Sequence, residues 1–426
     1  MWKRMMVGIA VLGLAVLSSH AEESNSVEPE WLAPSLTLGP VDLSPSLHFN
    51  GAIGDSTGNP AELEVGHHDP TREDGTVQGI EAGLSLRAGP IEGFAVYTVS
   101  YGAAEEWETE WEEAFLKLKD IPGGFEVRGG RLFARFGRQN TKHLHAWDFV
   151  DMPLVWGRFL GDDGLVTDGA DITWLKQGIA TTYGITAGYG DAKSHSHDHG
   201  AEEDHAEEHS EEEHEEGEHH EEDDHEGHAH SEGVRFSDGV GTGRAFAQFR
   251  RNDFNAFETG ASLALGEDES DRQLVVAGAD FSYTWRENGL EPGGRAVTWL
   301  TEILYRDVED GHTAHEEHEE HEEDEEHDAH EDELLSGGSG WGLYSQAIYT
   351  HNRRLDAGLR LGHVTDDDSL EAPDRFRVSP ALTTYLDPFR RTMLRVQYNY
   401  DDIQGGDEEH TVWLQMGLSW GGAEVR

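Results

Sequence analysis

A period-two alternation of apolar residues with small or polar ones runs through most of the chain. It limits the fold more than any other feature. In Val412–Trp420 one face carries Val412, Leu414, Met416, Leu418 and Trp420, and the other Trp413, Gln415, Gly417 and Ser419. Ile80, Ala82, Leu84, Leu86 and Ala88 alternate in the same way with Gly79, Glu81, Gly83, Ser85 and Arg87. Successive side chains of a strand point to opposite faces, so each stretch reads as a strand with one apolar and one polar face. Comparable stretches lie near 45–53, 91–101, 111–119, 124–136, 169–175, 179–189, 243–250 and 254–265. They continue near 273–286, 295–306, 340–350, 354–364, 375–386 and 392–401, making about sixteen strands.

A soluble β-sandwich also alternates. What separates the two architectures is strand number, length and setting. Lys3 and Arg4, the apolar stretch Val7–Leu17 and the small residues Ser19 and Ala21 at the −3 and −1 positions of a cleavage site form an expected signal peptide over 1–21. Beyond it no apolar run approaches the roughly 18 residues a membrane helix needs. Sixteen exported strands of roughly ten residues each predict an all-β fold, an antiparallel transmembrane barrel of the outer membrane with its apolar face in lipid. Residues 22–44 are expected as a periplasmic N-terminal segment and 45–426 as the barrel. Tyr97, Tyr101, Trp285, Trp299, Tyr305, Tyr385, Tyr398, Tyr400 and Trp420, near strand ends, are candidates for the interfacial aromatic girdles.

The connections test this reading independently, since such barrels alternate short periplasmic turns with long outer loops. The short set is 89–90, 120–123, 176–178, 251–253, 287–294, 351–353 and 387–390. The longer set is 54–76, 102–110, 137–168, 190–242, 266–272, 307–339, 365–374 and 402–409. Seven turns and eight loops are what sixteen strands with both ends in the periplasm require.

Charge and cysteine content exclude other classes. The formal charge is −55, from 31 Lys+Arg against 86 Asp+Glu, so nucleic acid is no partner. There is no cysteine, hence no disulfide, thiolate metal site or cysteine nucleophile. No nucleophile elbow, phosphate loop or HExxH motif suggests an enzyme.

Much of the acidity sits in two inserts, 193–233 and 307–335, on the same outer rim. Between Ser194 and Glu232 there are 11 His and 18 acidic residues, and between Asp307 and Glu333 there are 6 His and 16 acidic residues. Neither segment has apolar residues enough for a core, and both are expected to be disordered without a ligand. Imidazole and carboxylate together suit Zn²⁺, Ni²⁺ and Cu²⁺. The candidate ligands in the first insert are His195, His197, His199, His205, His209, His214, His219, His220, His225, His228 and His230. In the second they are His312, His315, His318, His321, His327 and His330. His205 and His209 would meet across one helical turn, and His315, His318 and His321 recur every three residues. A flexible chain assembles many weak sites rather than one tight one, which suits capture and hand-over. The alternatives are a solvated acidic loop without a ligand and a pH sensor.

A smaller constellation, His143, His145, Asp148 and Asp151, lies in the 137–168 loop and is a candidate second metal station at a pore constriction. Its alternative is simple packing of the loop against the inner wall. His67, His68 and Asp69 form a similar candidate in the first outer loop. Arg128, Arg131, Arg135 and Arg138 are read as structural partners of acidic residues.

The segment Arg128-Gly-Gly-Arg-Leu-Phe-Ala-Arg-Phe-Gly-Arg138, followed by Asn140, resembles a characteristic strand of the outer-membrane porin superfamily that includes the phosphate-selective porins. The stretch from His143 through Pro153 to Asp168-Gly169 is similar to outer-membrane proteins with His-rich loops assigned to zinc uptake. The resemblance spans the mature chain. It implies a channel in the outer membrane of a Gram-negative bacterium, with outer-membrane lipid, divalent metal ions and the barrel-assembly machinery as partners, and it leaves a homotrimer open. Zn²⁺ or another divalent metal would be cargo or captured ligand, with no tightly bound cofactor. The chain departs from the pattern at Arg426, where a terminal Phe is usual, and Trp420 is read as the aromatic end of the last strand. No lysine-rich lumen suited to phosphate is evident. Three functions follow for testing: a channel for divalent metal, zinc above all; a general or anion-selective porin with acidic surface loops; and a surface metal buffer without transport.

Overall fold

The computed structural model describes residues 29–58, 63–72, 74–101, 107–193, 235–237, 239–312, 334–370, 372–422 and 424–425. Sixteen strands close a single antiparallel barrel. They are β1 Val41–Ser56, β2 Gly75–Ala88, β3 Ile91–Tyr101, β4 Trp107–Ile121, β5 Phe125–Phe133, β6 Val166–Gln177, β7 Thr181–Lys193 and β8 Gly239–Asn252. The second half comprises β9 Asn255–Glu267, β10 Gln273–Arg286, β11 Ala296–Val308, β12 Gly338–Asn352, β13 Leu355–Val364, β14 Arg375–Tyr385, β15 Thr392–Ile403 and β16 Glu408–Gly421. Each strand pairs with its sequence neighbour, and β16 returns to β1 in a register from Thr411↔Ser56 to Gly421↔Ser46. Closure satisfies every edge, which a sheet in lipid needs.

Burial is inverted relative to a soluble domain. On β16, Leu414, Met416, Leu418 and Trp420 face outward and are exposed, while Thr411, Trp413 and Gln415 face inward and are buried. On β2, Leu84 lies outside and Glu81 and Ser85 inside. Apolar side chains that would cost free energy in water are stabilised in an acyl-chain environment. No helix among the described residues is long and apolar enough to cross a membrane. Of the expected girdle residues, Trp299, Tyr305 and Trp420 are outward and exposed. Tyr97 packs edge-on against Trp111 at 5.1 Å.

All sixteen expected strands are present, with boundaries that shift by a few residues. The first begins at Val41, not 45. Leu36–Leu38 folds back onto it (Leu38↔Val41), so part of the expected N-terminal segment belongs to the sheet. The expected signal peptide lies outside the described residues, as do 194–234 and 313–333, where sixteen of the seventeen candidate insert histidines fall. The chain of His312 pairs with Leu334 in a two-stranded ribbon above the barrel.

The loop between β5 and β6 does not stay outside. It turns into the lumen, carries a 3-10 turn at Leu144–Ala146 and then helix α1, Leu154–Leu160. Pro153 precedes the helix and Gly161, at φ 96°, ends it. One part of the inner wall meeting this loop is apolar: Val240, Ala264, Val276, Leu300, Leu304 and Val308 enclose Phe136, Trp156 and Phe159. Gly157 is required by proximity, since a Cβ there would stand 1.9 Å from the carbonyl oxygen of Val65 in the first outer loop. The buried Trp156 Nε1–H donates to Glu302 Oε2 at 2.9 Å, and Tyr344 Oη–H donates to the same oxygen at 2.6 Å.

Candidate functional site: a histidine–glutamate track in the lumen

The inner faces of β1, β2 and β4 carry acidic and imidazole groups that the two inward-folded loops complete. Glu108, Glu110 and Glu112 occupy alternate positions of β4 and share its lumenal face. A bulge then opposes Val96 to Glu113 and Tyr97 to Trp111. The extra residue turns two successive carboxylates, Glu112 and Glu113, into the barrel, both buried. The alternation resumes shifted by one, with Phe115 and Lys117 inward.

From the long-loop rim inward, the groups follow one another closely. His67 Nε2 is 3.0 Å from Glu108 Oε2. His68 Nε2 is 3.2 Å from Glu110 Oε1 and 3.4 Å from Glu112 Oε1. His143 is wedged between Glu112 (Nδ1, 2.6 Å) and Glu113 (Nε2, 2.8 Å), with Glu81 Oε1 3.7 Å from Nδ1. His145 Nδ1 meets the Glu81 carboxylate at 3.1 Å. Beyond it, His145 Nε2 is 3.4 Å and His48 Nε2 is 3.6 Å from Glu424 Oε1. Three sets of three ligand atoms each lie within 4.8 Å of one another: His67/His68/Glu110, Glu81/Glu112/His143 and His48/His145/Glu424.

Glu424 arrives from an unexpected direction. After β16 the chain turns at Gly421 (φ 117°), where a Cβ would meet Pro45 O at 2.4 Å. The tail then enters the lumen. Val425 N–H donates to Ser85 Oγ at 3.1 Å, and its side chain is buried among Phe94, Val96, Phe115 and Leu132.

Protonation follows from these partners. Burial opposes charge on His68, but hydrogen bonds to Glu110 and Glu112 prevail and hold its pKa well above 6.5. Burial likewise opposes charge on His143, and Glu112 and Glu113 override it, again raising the pKa well above the ordinary value. Without a competing cation both rings are imidazolium ions. In the first outer loop, burial pushes Glu64 up to about 7 against the pull of Arg72.

The four residues expected as one station in this loop do not converge. His143 and His145 join the glutamate track. Asp148 accepts from Lys142 Nζ at 3.1 Å and from Gln346 Nε2 at 3.0 Å. Asp151 is held on the facing wall by Arg360 Nη2 (2.5 Å), Arg377 Nη1 (2.7 Å), Gln397 Nε2 (2.5 Å) and Asn399 Nδ2 (2.8 Å). Burial acts against its charge, but Arg360 and Arg377 hold its carboxyl well below the usual range. Asp151 is therefore the salt-bridged anchor of the loop and not a ligand. Asp69 anchors the loop too, accepting from Met152 N–H at 2.7 Å. The four arginines near 128–138 pair with acids as expected, Arg128 with Asp171, Arg131 with Asp168, Arg135 with Glu126 and Arg138 with Glu258.

Sequence reasoning missed His48, Glu81, Glu108, Glu110, Glu112, Glu113 and Glu424. The signal available was the acidic stripe 108/110/112 and the lone inward acid Glu81 between Gly79 and Gly83.

No protein-family model matches the chain. It is 42% identical over 64 residues, 15% of its length, to an uncharacterized protein of Aquifex aeolicus (strain VF5). That match spans 13% of the relative's own length. Among solved structures, the barrel is similar to the outer membrane channel DcaP of Acinetobacter baumannii at 12% identity, with 91% of this chain and 100% of that one covered and a TM-score of 0.53. OmpT, an outer membrane protein of Vibrio cholerae, matches at 10% identity, 91% and 100% coverage and a TM-score of 0.51. An anion-selective porin from Comamonas acidovorans matches at 9% identity, 89% and 100% coverage and a TM-score of 0.50. The fold is that of the outer-membrane porins.

Proposed function

We propose that this barrel is an outer-membrane channel admitting divalent metal ions, zinc first among them, and that its His- and acid-rich outer inserts gather the ion at the mouth. The observation that carries this reading is the track itself. Five imidazoles and six carboxylates succeed one another from His67 and Glu108 near the long-loop rim to His48 and Glu424 deep in the lumen. A cation leaving one carboxylate finds the next group within a few ångströms. His68 and His143, held as imidazolium ions by their glutamates, would give up a proton to take the ion, so neither need hold it tightly. The inserts open from the same rim, between β7 and β8 and between β11 and β12.

The facing wall is rich in arginine and keeps an anion-selective porin as the second reading. Arg375 and Arg377 share Asp401, and Arg360 and Arg377 share Asp151. Arg72 and Arg395 bond to hydroxyl, amide and carbonyl oxygens.

Liposome flux tests the reading. Barrels reconstituted with and without the inserts are compared for Zn²⁺ and Na⁺ entry, alongside Glu112→Gln. The expected result is Zn²⁺ entry in excess of Na⁺ that the substitution reduces. Equal relative entry of both ions, insensitive to Glu112→Gln, would make it a general porin. Zn²⁺ bound outside with no entry would make it a surface buffer.

A further inference from the structure

The strands of the second half of the barrel end in opposite charges at the two rims. At the short-turn rim, the four successive turns β8–β9, β10–β11, β12–β13 and β14–β15 each carry two arginines. At the long-loop rim the same strands open into acid, Glu267, Asp268 and Glu269 after β9 and Asp307, Glu309 and Asp310 after β11. The fold does not use up the arginines. Arg295 meets Glu287 at 2.6 Å, Arg390 meets Asp356, and Arg354 Nη1 donates to the Leu386 carbonyl at 3.0 Å. Arg250, Arg251, Arg286 and Arg353 have neither an ion pair nor a side-chain hydrogen bond among the described residues. The first three of them are exposed. The first short turn shows the other arrangement, since Arg87, Lys117 and Lys119 there converge on Glu92.

Beside this charge lies an aromatic row. Phe249, Phe257, Tyr283 and Trp299 stand directly opposite one another across β8, β9, β10 and β11. Phe249 is 40% and Trp299 42% exposed, so the row is on the lipid face of the barrel. The rings of Phe257 and Tyr283 are 5.0 Å apart. Arg251, Arg286 and Arg295 lie two to four residues from the row, on its turn side. That is roughly 7–13 Å along a strand, and less along the membrane normal because the strands tilt. Aromatic side chains on a lipid face settle where acyl chains meet headgroups. The arginines therefore stand at the level of the lipid phosphates. Apolar side chains project from the same turns, with Phe254, Leu290 and Leu386 all exposed. Guanidinium groups among exposed apolar tips suit a headgroup layer better than open water.

We infer that this arc is a docking surface for anionic phospholipid in the leaflet at the short-turn rim, with phosphate oxygens taken by Arg250, Arg251, Arg286 and Arg353. A guanidinium group presents parallel N–H donors to two oxygens of one phosphate, which an ammonium group does not. Adjacent turns lie two strands apart, roughly 10 Å, so neighbouring turns take neighbouring headgroups. A headgroup of net negative charge is favoured over a zwitterionic one, whose own ammonium offsets the phosphate. The acidic long-loop rim repels phosphate, so the difference between the rims sets which end of the barrel seats in that leaflet. The inference needs nothing from the metal reading, and lipid binding is measured without metal.

The test places the full chain in nanodiscs of phosphatidylcholine with a minor share of phosphatidylglycerol. The barrel is released into mild detergent, and the lipids that stay on it are counted by native mass spectrometry. Phosphatidylglycerol should be retained in excess of its share in the bilayer. The combined variant Arg250→Gln, Arg251→Gln, Arg286→Gln and Arg353→Gln should lower that excess by at least about fivefold, the contribution of one basic residue near an anionic surface. Heat modifiability checks that the variant is folded, and the strand ladder does not use these side chains. Retention in proportion to the bilayer share overturns the inference, and so does an excess that survives the four substitutions. Soluble polyglutamate bound through the same arginines, with no lipid preference, also overturns it and assigns the surface to an acidic protein. Failure to pass Zn²⁺ would sink the channel reading and leave the lipid surface standing.

Discussion

Asp151, on a loop that sequence places between two strands, lies 2.7 Å from Arg377 Nη1 on the opposite wall of the barrel. Its other oxygen is 2.5 Å from Arg360 Nη2. This carboxylate is the pivot on which the inner loop hangs. Val150 beside it donates its N–H to Gln397 Oε1 at 2.8 Å, and its carbonyl accepts from Gln78 Nε2 at 2.9 Å. The loop is thus fastened at one point to β2 and to the β13–β15 wall, while His143 is held to β4 and His145 to β2 again.

Asp151→Ala should release the loop while sparing the barrel. Removing one member of a buried pair leaves uncompensated charge and costs about 3–5 kcal/mol. The sixteen-strand ladder does not depend on that contact. The expected outcome in planar bilayers is a larger single-channel conductance with selectivity moved toward anions, since Arg360 and Arg377 lose their shared partner. Heat modifiability should persist. Unchanged conductance would mean that the apolar contacts of Trp156 and Phe159 hold the loop without the salt bridge.

The second prediction concerns pH. The folded pKa of His143 is raised above its unfolded value near 6.5, because Glu112 and Glu113 override the cost of burial. A raised histidine pKa contributes stability that is fully present below about 6.5 and is lost as pH rises through the folded value. His68, raised by Glu110 and Glu112, acts in the same direction. The loop should therefore be firmly docked at neutral pH and loosen in the alkaline range. Conductance should climb as pH is raised above neutral. His143→Gln, which cannot become charged, should weaken that step. A conductance that climbs on acidification instead would reverse the assigned charge.

The strands were legible in the sequence because lipid and lumen impose opposite demands on alternate residues. Leu414, Met416 and Leu418 against Gln415 and Ser419 report both faces at once. The track was legible only in fragments. His143 and His145 stand out by spacing, yet their partners come from residues far apart in sequence, and Asp148 and Asp151 proved to serve other contacts. The bulge at Glu112 has no signature in a single sequence, because one extra residue in a ladder looks like any other residue until the partner strand is known. Glu424 was illegible for a related reason. A charged residue after the last strand reads as a solvated tail, and only the turn at Gly421 and the apolar seat of Val425 bring it inside.

Both inserts should be removable and reachable from outside. They connect strand ends on the long-loop rim, and the strands they join pair without them: β7 with β8 from Asp191↔Gly239 and β11 with β12 from Val308↔Gly338. Backbone ladders that close independently of a connection do not need it for stability. Deletion of 194–232 and of 313–333 should leave a heat-modifiable barrel. Epitope tags beside Glu212 and Glu322 should bind antibody on intact cells. Tags that become reachable only after permeabilisation would invert the orientation of the whole barrel.

The last prediction separates histidine from carboxylate as the agent of capture. An imidazole binds metal only when deprotonated, and its unperturbed pKa is near 6.5. Between Ser194 and Glu232 the 11 His stand among 18 acidic residues, whose charge favours the imidazolium and raises that pKa. Protons should therefore displace metal as pH falls through the neutral range. Most carboxylates remain ionised at about pH 5, so binding by acidic clusters alone would survive there. A peptide covering Ser194 to Glu232, titrated calorimetrically with Zn²⁺ at about pH 7.5 and about pH 5, distinguishes the two. We expect several ions per peptide at the higher pH, at micromolar affinity, because ordering the chain around each ion opposes binding. At the lower pH binding should be largely lost. Equal binding at both values would remove histidine from the capture step, and no binding at the higher value would leave the inserts without a role in metal uptake.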